Sequence, residues 1–241
     1  MGIMELSSMG LVPLFSDLDV LHFFNDSSNV FIDQLAMVLT SGFTWVFLYV
    51  ALFCVVVRNN ETMGQIALVV GGALLCVLIA TGVTDGIVKP SVARWRPIND
   101  PAVKYLIHVV GGIHLKDYSF FSAHAANTMS LAVFFSLLIR SKALAVALPL
   151  WSLLNCWTRL YLGVHYPSDI ACGLLFGVVV GGGVYLLFRR LYRKISPDIT
   201  YISTQYTSTG YDNDDIESIL CVLVLTVVYA ILRASIMTYY I

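Results

Sequence analysis

Three short stretches carry the residues able to do chemistry: 89–97 (KPSVARWRP), 121–124 (FSAH) and 158–169 (TRLYLGVHYPSD). Among their residues are the fixed cations Lys89, Arg96 and Arg159; two imidazoles, His124 and His165; the hydroxyl of Ser122; and a carboxylate, Asp169. Three cations cannot be buried side by side without an anion among them. The planar fork of arginine suits a phosphate, and lysine adds a point charge. Ser122 opens an apolar run, so its hydroxyl can cap a helix whose first N–H groups face a bound oxyanion. The two imidazoles add chemistry: one can attack phosphorus while the other protonates the departing oxygen. Asp169, four residues after His165, can accept one ring N–H and leave the other nitrogen free to attack. Pro167 fits the first turn of a helix, so that approach would occur across a helix start.

The elements that must position these residues are membrane helices. The chain has 241 residues, of which 58% are apolar and 12% charged, with a mean hydropathy of +0.81. Soluble domains carry about 25% charged residues. A helix that crosses a bilayer needs about 20 mostly apolar residues. Runs at 34–57, 64–88, 120–139, 143–162, 168–188 and 219–238 meet that need, the last one carrying Arg233. The expected fold is all-α, a polytopic membrane bundle of about six transmembrane helices. Residues 1–30 form an interfacial segment in which 9–25, with Asp17 and Asp19, read as an amphipathic helix lying on the membrane surface. A membrane-embedded core over 31–194 follows, then a polar, acidic linker over 195–218 and a last transmembrane helix over 219–241. Arg58 is the first basic residue, so no leader with a positive start is expected.

If the helices alternate, Arg58, Arg140, Lys142, Arg189, Arg190, Arg193 and Lys194 share one membrane face. Lys89, Arg94, Arg96, Lys104, Lys116 and Arg159 share the other. A tally of seven to six decides little, but the dense run RRLYRK at 189–194 marks its side as cytoplasmic. All three chemical stretches then reach the extracytoplasmic face of an inner membrane, at headgroup depth. A net charge of −1 offers no basic surface to nucleic acid.

In this order, Lys-x6-Arg-Pro, Ser-Ala-His and Thr-Arg-x5-His-x3-Asp resemble the three-part signature of the type-2 phosphatidic acid phosphatase superfamily, over residues 89–169. Ala123 stands where glycine is usual, Phe121 where proline is common, and Thr158 in place of serine. None of these departures removes a charged or nucleophilic group. The resemblance implies a six-helix membrane core and a nucleophile at His165 that forms a phosphohistidine. It makes Asp169 the partner that orients His165, and His124 the acid for the leaving group and then the base for water. Lys89, Arg96, Ser122, Ala123 and Arg159 would hold the phosphoryl oxygens. It implies no metal and no other cofactor, the three cations doing what Mg²⁺ does elsewhere. The implied substrate is a phosphate monoester or pyrophosphate of a membrane lipid. Short loops favour undecaprenyl diphosphate or a lipid A phosphate, with phosphatidylglycerophosphate and phosphatidic acid as alternatives.

Other readings exist. Taken singly, Arg159 and Asp169 could form an interfacial ion pair, and Lys89 and Arg96 could snorkel to headgroups. An anion or lipid transporter could also use basic groups at helix ends, but here the charges gather at one face and form no path across. Asp85, four residues before Lys89, is open between a functional role and a simple pair with Lys89. His108 and His114 read as solvated loop histidines and His22 as interfacial. Cys54, Cys76, Cys156, Cys172 and Cys221 lie in apolar runs without a CxxC pair and read as inert thiols. Gly173, Gly177 and Gly181 recur every four residues and mark either packing inside the bundle or a dimer face.

Overall fold

The computed structural model describes residues 16–113, 115, 117–196, 201 and 203–240. Among these, the regular structure is helical, apart from one isolated antiparallel bridge between Tyr206 and Asp212. α1 (Asp17–Asn25) starts in a capping box: the Ser16 hydroxyl accepts from the Asp19 N–H, and the Asp19 carboxylate accepts from the Ser16 N–H. It packs on α7 and α8, introduced below. Residues 9–15 of the expected surface helix lie outside the described residues.

The first expected span, 34–57, is not one helix. It is α2 (Val30–Thr40) and α3 (Val46–Arg58), bent by 65° at Ser41 and Gly42. Ser41 takes an extended conformation (ψ 126°), which stops the α-helical ladder. The carbonyls this frees are satisfied locally: Thr44 Oγ1 donates to Val38 O, and Trp45 Nε1 donates to Leu39 O at 2.8 Å. Apolarity alone could not report a break whose polar groups are repaired by a threonine and a tryptophan.

α4 (Met63–Val83) opens on a Thr62–Gln65 capping box and runs through a π-helical turn, Thr84–Val88, into α5 (Lys89–Val92). The whole stretch is 30 residues long. Ala93 ends it in the left-handed region (φ 50°), which turns the chain so that Arg94 and Arg96 fold back over the helix ends.

α6 (Ala123–Ile139) is the centre of the bundle. Its 17 residues span only about 26 Å at 1.5 Å per residue, yet its buried side chains run around the whole circumference. It packs against α4, α7 (Lys142–Tyr161) and α8 (Pro167–Tyr192). The glycine stripe of α8 makes the closest of these contacts. A Cβ at Gly173 would stand 2.7 Å from Ser122 O, at Gly177 2.7 Å from Ala126 O, and at Gly181 2.4 Å from Ser130 O. The stripe therefore packs α8 onto α6 inside the bundle, backbone against backbone. Its uppermost member, Gly173, brings the start of α6 onto the start of α8.

α9 (Asn213–Tyr239) lies against α2 and α3. It begins six residues earlier than the expected 219, which shortens the polar linker. Asp212 caps it, accepting from the Asp214 N–H at 3.0 Å. Buried Asp215 pairs with Arg58 at 2.9 Å and accepts from Asn59 Nδ2 at 2.7 Å. An acidic first turn read as linker because its partners lie some 150 residues away in sequence. Among the described residues four helical stretches are long and apolar enough to cross a membrane alone, and the bent α2–α3 pair makes a fifth. The short central α6 is the sixth apolar segment, in line with the expected bundle. The end of α5, the start of α6, the end of α7 and the start of α8 meet at one pole.

Candidate active site

Each chemical stretch sits at a helix end of that pole, and Arg96 connects the first to the third. Its side chain is 3% exposed and donates through all three of its nitrogens. Nε donates to Asp117 O at 3.1 Å, and Nη2 meets Asp117 Oδ2 at 2.6 Å. Nη1 donates to Val164 O at 2.9 Å and lies 3.1 Å from His165 Nε2. A guanidinium has no lone pair to offer, so His165 Nε2 is the acceptor and the ring proton sits on Nδ1. His165 is buried in the turn between α7 and α8. Burial, joined by the charges of Arg96 and Arg159 and opposed by Asp169, pushes its pKa down to about 3. The ring is neutral at physiological pH and carries its lone pair on Nε2.

Nδ1 faces Asp169 Oδ2 at 3.6 Å, an ion-pair distance rather than a hydrogen bond. Both Asp169 oxygens have closer partners. Oδ2 accepts from the Tyr166 N–H at 2.9 Å, capping the start of α8, and Oδ1 pairs with Arg94 Nη1 at 2.8 Å. Asp169 is fully buried and thus does two jobs, starting the helix and facing the imidazole. Its backbone carbonyl also accepts from the Ser122 N–H at 3.1 Å, which ties the second stretch to the third.

Ser122 is buried and caps α6, its hydroxyl accepting from Ala125 N at 3.4 Å. Ala123 and His124 then form the first turn, where N–H groups lack intrahelical partners. The His124 side chain is exposed, within electrostatic reach of Arg159, Lys89 and Arg96. Arg159, 8% exposed in the last turn of α7, donates from Nη1 to Thr40 Oγ1 at 2.7 Å. Among the described residues no carboxylate lies within ion-pair distance of it, and its Nε has no hydrogen-bond partner. Thr158 turns away, its hydroxyl donating to Asn155 O within its own helix.

Lys89 Nζ stands 2.8 Å from Asp85 Oδ1 and 2.9 Å from Asp117 Oδ2. The Asp85–Lys89 pair that the spacing left open is therefore formed. Asp117 was not singled out by the sequence. Although partial burial works the other way, its hydrogen bonds to Arg96 and Lys89 hold its carboxyl well below the usual carboxylate range. No motif spacing marks a carboxylate in a loop 21 residues past Arg96.

Arg94 and Asp17 were also missed as site residues. Arg94 Nη2 pairs with Asp17 Oδ2 at 2.8 Å, Arg94 Nη1 donates to Ser168 Oγ at 2.7 Å, and its guanidinium lies 3.9 Å over the Tyr166 ring. The Ser168 N–H donates to Asp17 Oδ1 at 3.0 Å. Through these contacts α1 is tied to Asp169. The only prior signal for Arg94 was its place two residues before Arg96. His108 stays outside the site, 3.3 Å from Asp33 Oδ2, while His114 and Lys116 lie outside the described residues. Among the described residues no cluster of three His, Cys, Asp or Glu side chains could hold a metal.

The arrangement sets a neutral imidazole, its Nε2 lone pair turned to Arg96, beside three cations, one of them without a counter-charge among the described residues, and an exposed second imidazole at a helix start. That chemistry fits transfer of a phosphoryl group. Comparison with known proteins agrees. The chain is 31% identical over 191 residues to a lipid A 4'-phosphatase of Bacteroides thetaiotaomicron, covering 78% of this chain and 84% of that one. It is 31% identical over 166 residues to a lipid A 4'-phosphatase of Porphyromonas gingivalis, covering 68% and 69%. An undecaprenyl-diphosphatase of Bacillus subtilis is 32% identical over 89 residues, 37% of this chain and 43% of that one. No solved structure matches. The family model described as the PAP2 superfamily matches residues 67–193, more than half of the sequence and all three chemical stretches, and the chain belongs to that family.

Proposed function

We propose that this membrane lipid phosphatase removes a phosphate monoester from lipid A by way of a phosphohistidine. His165 Nε2 attacks phosphorus and forms the N–P bond as the P–O bond to the lipid breaks. His124 is the acid that gives a proton to the departing lipid oxygen. The neutral His124 then takes a proton from water, the hydroxide attacks phosphorus, and the N–P bond breaks to release orthophosphate and restore His165. Asp169 faces the proton on Nδ1 and favours the imidazolium-like charge that builds up during attack. Lys89, Arg96 and Arg159, with Ser122 and Ala123 at the start of α6, take the phosphoryl oxygens.

The observation that carries this reading is Arg159: a buried cation that, among the described residues, has no carboxylate partner and an unpaired Nε, near an imidazole whose Nε2 lone pair faces the Arg96 guanidinium. A phosphoryl oxygen supplies both missing partners. Lipid A is favoured because the two lipid A 4'-phosphatases each align with at least two thirds of this chain. The bacterial inner membrane, with the site on its extracytoplasmic face, is favoured because RRLYRK ends α8 at the opposite pole from the site.

The test is phosphate release by the purified protein in detergent against lipid A, undecaprenyl diphosphate, phosphatidylglycerophosphate and phosphatidic acid. Lipid A that leaves the reaction with one phosphate fewer is the expected result. A folded protein that releases phosphate from none of the four would refute the reading.

A further inference from the structure

We propose that Asp117 is a built-in competitor for the phosphoryl group, a carboxylate that takes back the site's cations and drives orthophosphate out at the end of each turnover. One oxygen, Asp117 Oδ2, lies 2.9 Å from Lys89 Nζ and 2.6 Å from Arg96 Nη2. Those are the charge, the distances and the two donors that a phosphoryl oxygen would require. Substrate and Asp117 cannot both hold them, so phosphate enters only by displacing the carboxylate.

The surroundings fit an exchange rather than a fixed strut. The Asp117 side chain is half exposed, so water can receive its charge when it is displaced. Lys89 keeps Asp85 at 2.8 Å through the exchange, and Arg96 keeps Val164 O at 2.9 Å, so neither cation depends on Asp117 alone for its place. Among the described residues Arg159 has no carboxylate of its own, which leaves it as the cation with standing affinity for phosphate. The site is thus strong at Arg159 and contested at Lys89 and Arg96. A site with three uncontested cations would hold orthophosphate, the product, at least as well as the ester. A carboxylate tethered beside the site acts as a second anion at high effective concentration and shortens the product's stay.

The inference rests on the phosphatase reading, and the experiment separates the two. Orthophosphate and orthovanadate are titrated into the full-length protein in detergent, by calorimetry and by thermal shift, for wild type and Asp117→Asn, with no turnover involved. The expected result is binding at least tenfold tighter in the variant. In the lipid assay the inhibition constant for orthophosphate should fall by the same factor, and kcat should drop while kcat/KM holds or rises. Equal or weaker phosphate binding by Asp117→Asn would overturn the proposal, because the carboxylate would then be holding the cations in place for the substrate. If that variant does not fold, Asp117→Ser removes the same charge and reads the same quantity. A wild type that binds orthophosphate but cleaves no lipid sinks the assigned function and leaves the competition measurable. One that binds no orthophosphate overturns both.

Discussion

Replacing Arg159 by methionine should separate what this residue does for stability from what it does for phosphate. A buried ion keeps a desolvation penalty of several kcal/mol unless a counter-charge and hydrogen bonds offset it. Arg159 is 8% exposed, and its Nε lacks a partner, an arrangement that by itself costs about 1–3 kcal/mol. Two contributions favour the native residue. Its hydrogen bond to Thr40 Oγ1, 2.7 Å, contributes roughly 1.5–3 kcal/mol for a charged donor. Its place at the C-terminal end of α7 adds about 0.3–1 kcal/mol through the helix dipole. These offset the unpaired Nε, which leaves the desolvation penalty, and an apolar side chain of similar length should hold or raise stability. A gain of about 1 kcal/mol would lift the Tm of a chain this size by roughly 2–4 °C. Activity moves the other way: losing one preorganised donor should lower kcat/KM by about 10²–10³-fold. The assay pairs thermal unfolding in detergent, with and without orthophosphate, with phosphate release from lipid. Phosphate should stabilise the wild type, and the variant much less. A Tm that falls by more than about 5 °C, or a kcat/KM within tenfold of wild type, would refute the reasoning, because Arg159 would then be a structural anchor.

His165→Ala should reduce phosphate release to background in a protein that still folds; turnover within tenfold of wild type would remove His165 as the nucleophile. The pKa of His165 also has a consequence for stability. Its folded value, about 3, lies below the unfolded value of about 6.5, so the unfolded chain binds more protons between those limits. The titration of this residue therefore costs nothing above pH 6.5, and it destabilises the fold progressively as the pH falls toward 3. His165→Asn should flatten that part of the Tm-against-pH curve, and parallel curves for variant and wild type would contradict the burial argument. Gly177→Ala puts a Cβ 2.7 Å from Ala126 O, so α6 and α8 must separate. An overpacking cost of about 1–3 kcal/mol is expected, measured as a fall in Tm, and an unchanged Tm would show that the helices do not meet there.

The amino-acid order was informative wherever the controlling physics is local or periodic. Among the described residues five apolar runs are found as helices of spanning length, counting the bent α2–α3 pair as one, and the sixth as the shorter α6, because burial in lipid leaves the backbone no partner but itself. The four-residue glycine spacing foretold a close helix contact, and the i, i+4 spacing of Asp85 and Lys89 foretold a possible pair. The stretches 89–97, 121–124 and 158–169 were legible as one site because helix alternation sends their ends to the same pole. The 65° break between α2 and α3 was not legible, since Thr44 and Trp45 look like ordinary residues of an apolar run until their side chains reach back to the carbonyls of Val38 and Leu39.

What residue order alone determined is the set of groups that meet at this pole and the kind of anion they ask for. Which carboxylate answers which cation was left to the folded chain. Asp117 reaches Arg96 across 21 residues, Asp17 reaches Arg94 across 77, and Asp169 turns its closest contacts to Arg94 and Tyr166 rather than to His165. Helical periodicity relates neighbours along one element, whereas an ion pair depends on distance and solvent access between elements. That is why Arg159 being left without a carboxylate among the described residues, and Asp117 answering both Lys89 and Arg96 with one oxygen, emerge only once the helices are packed.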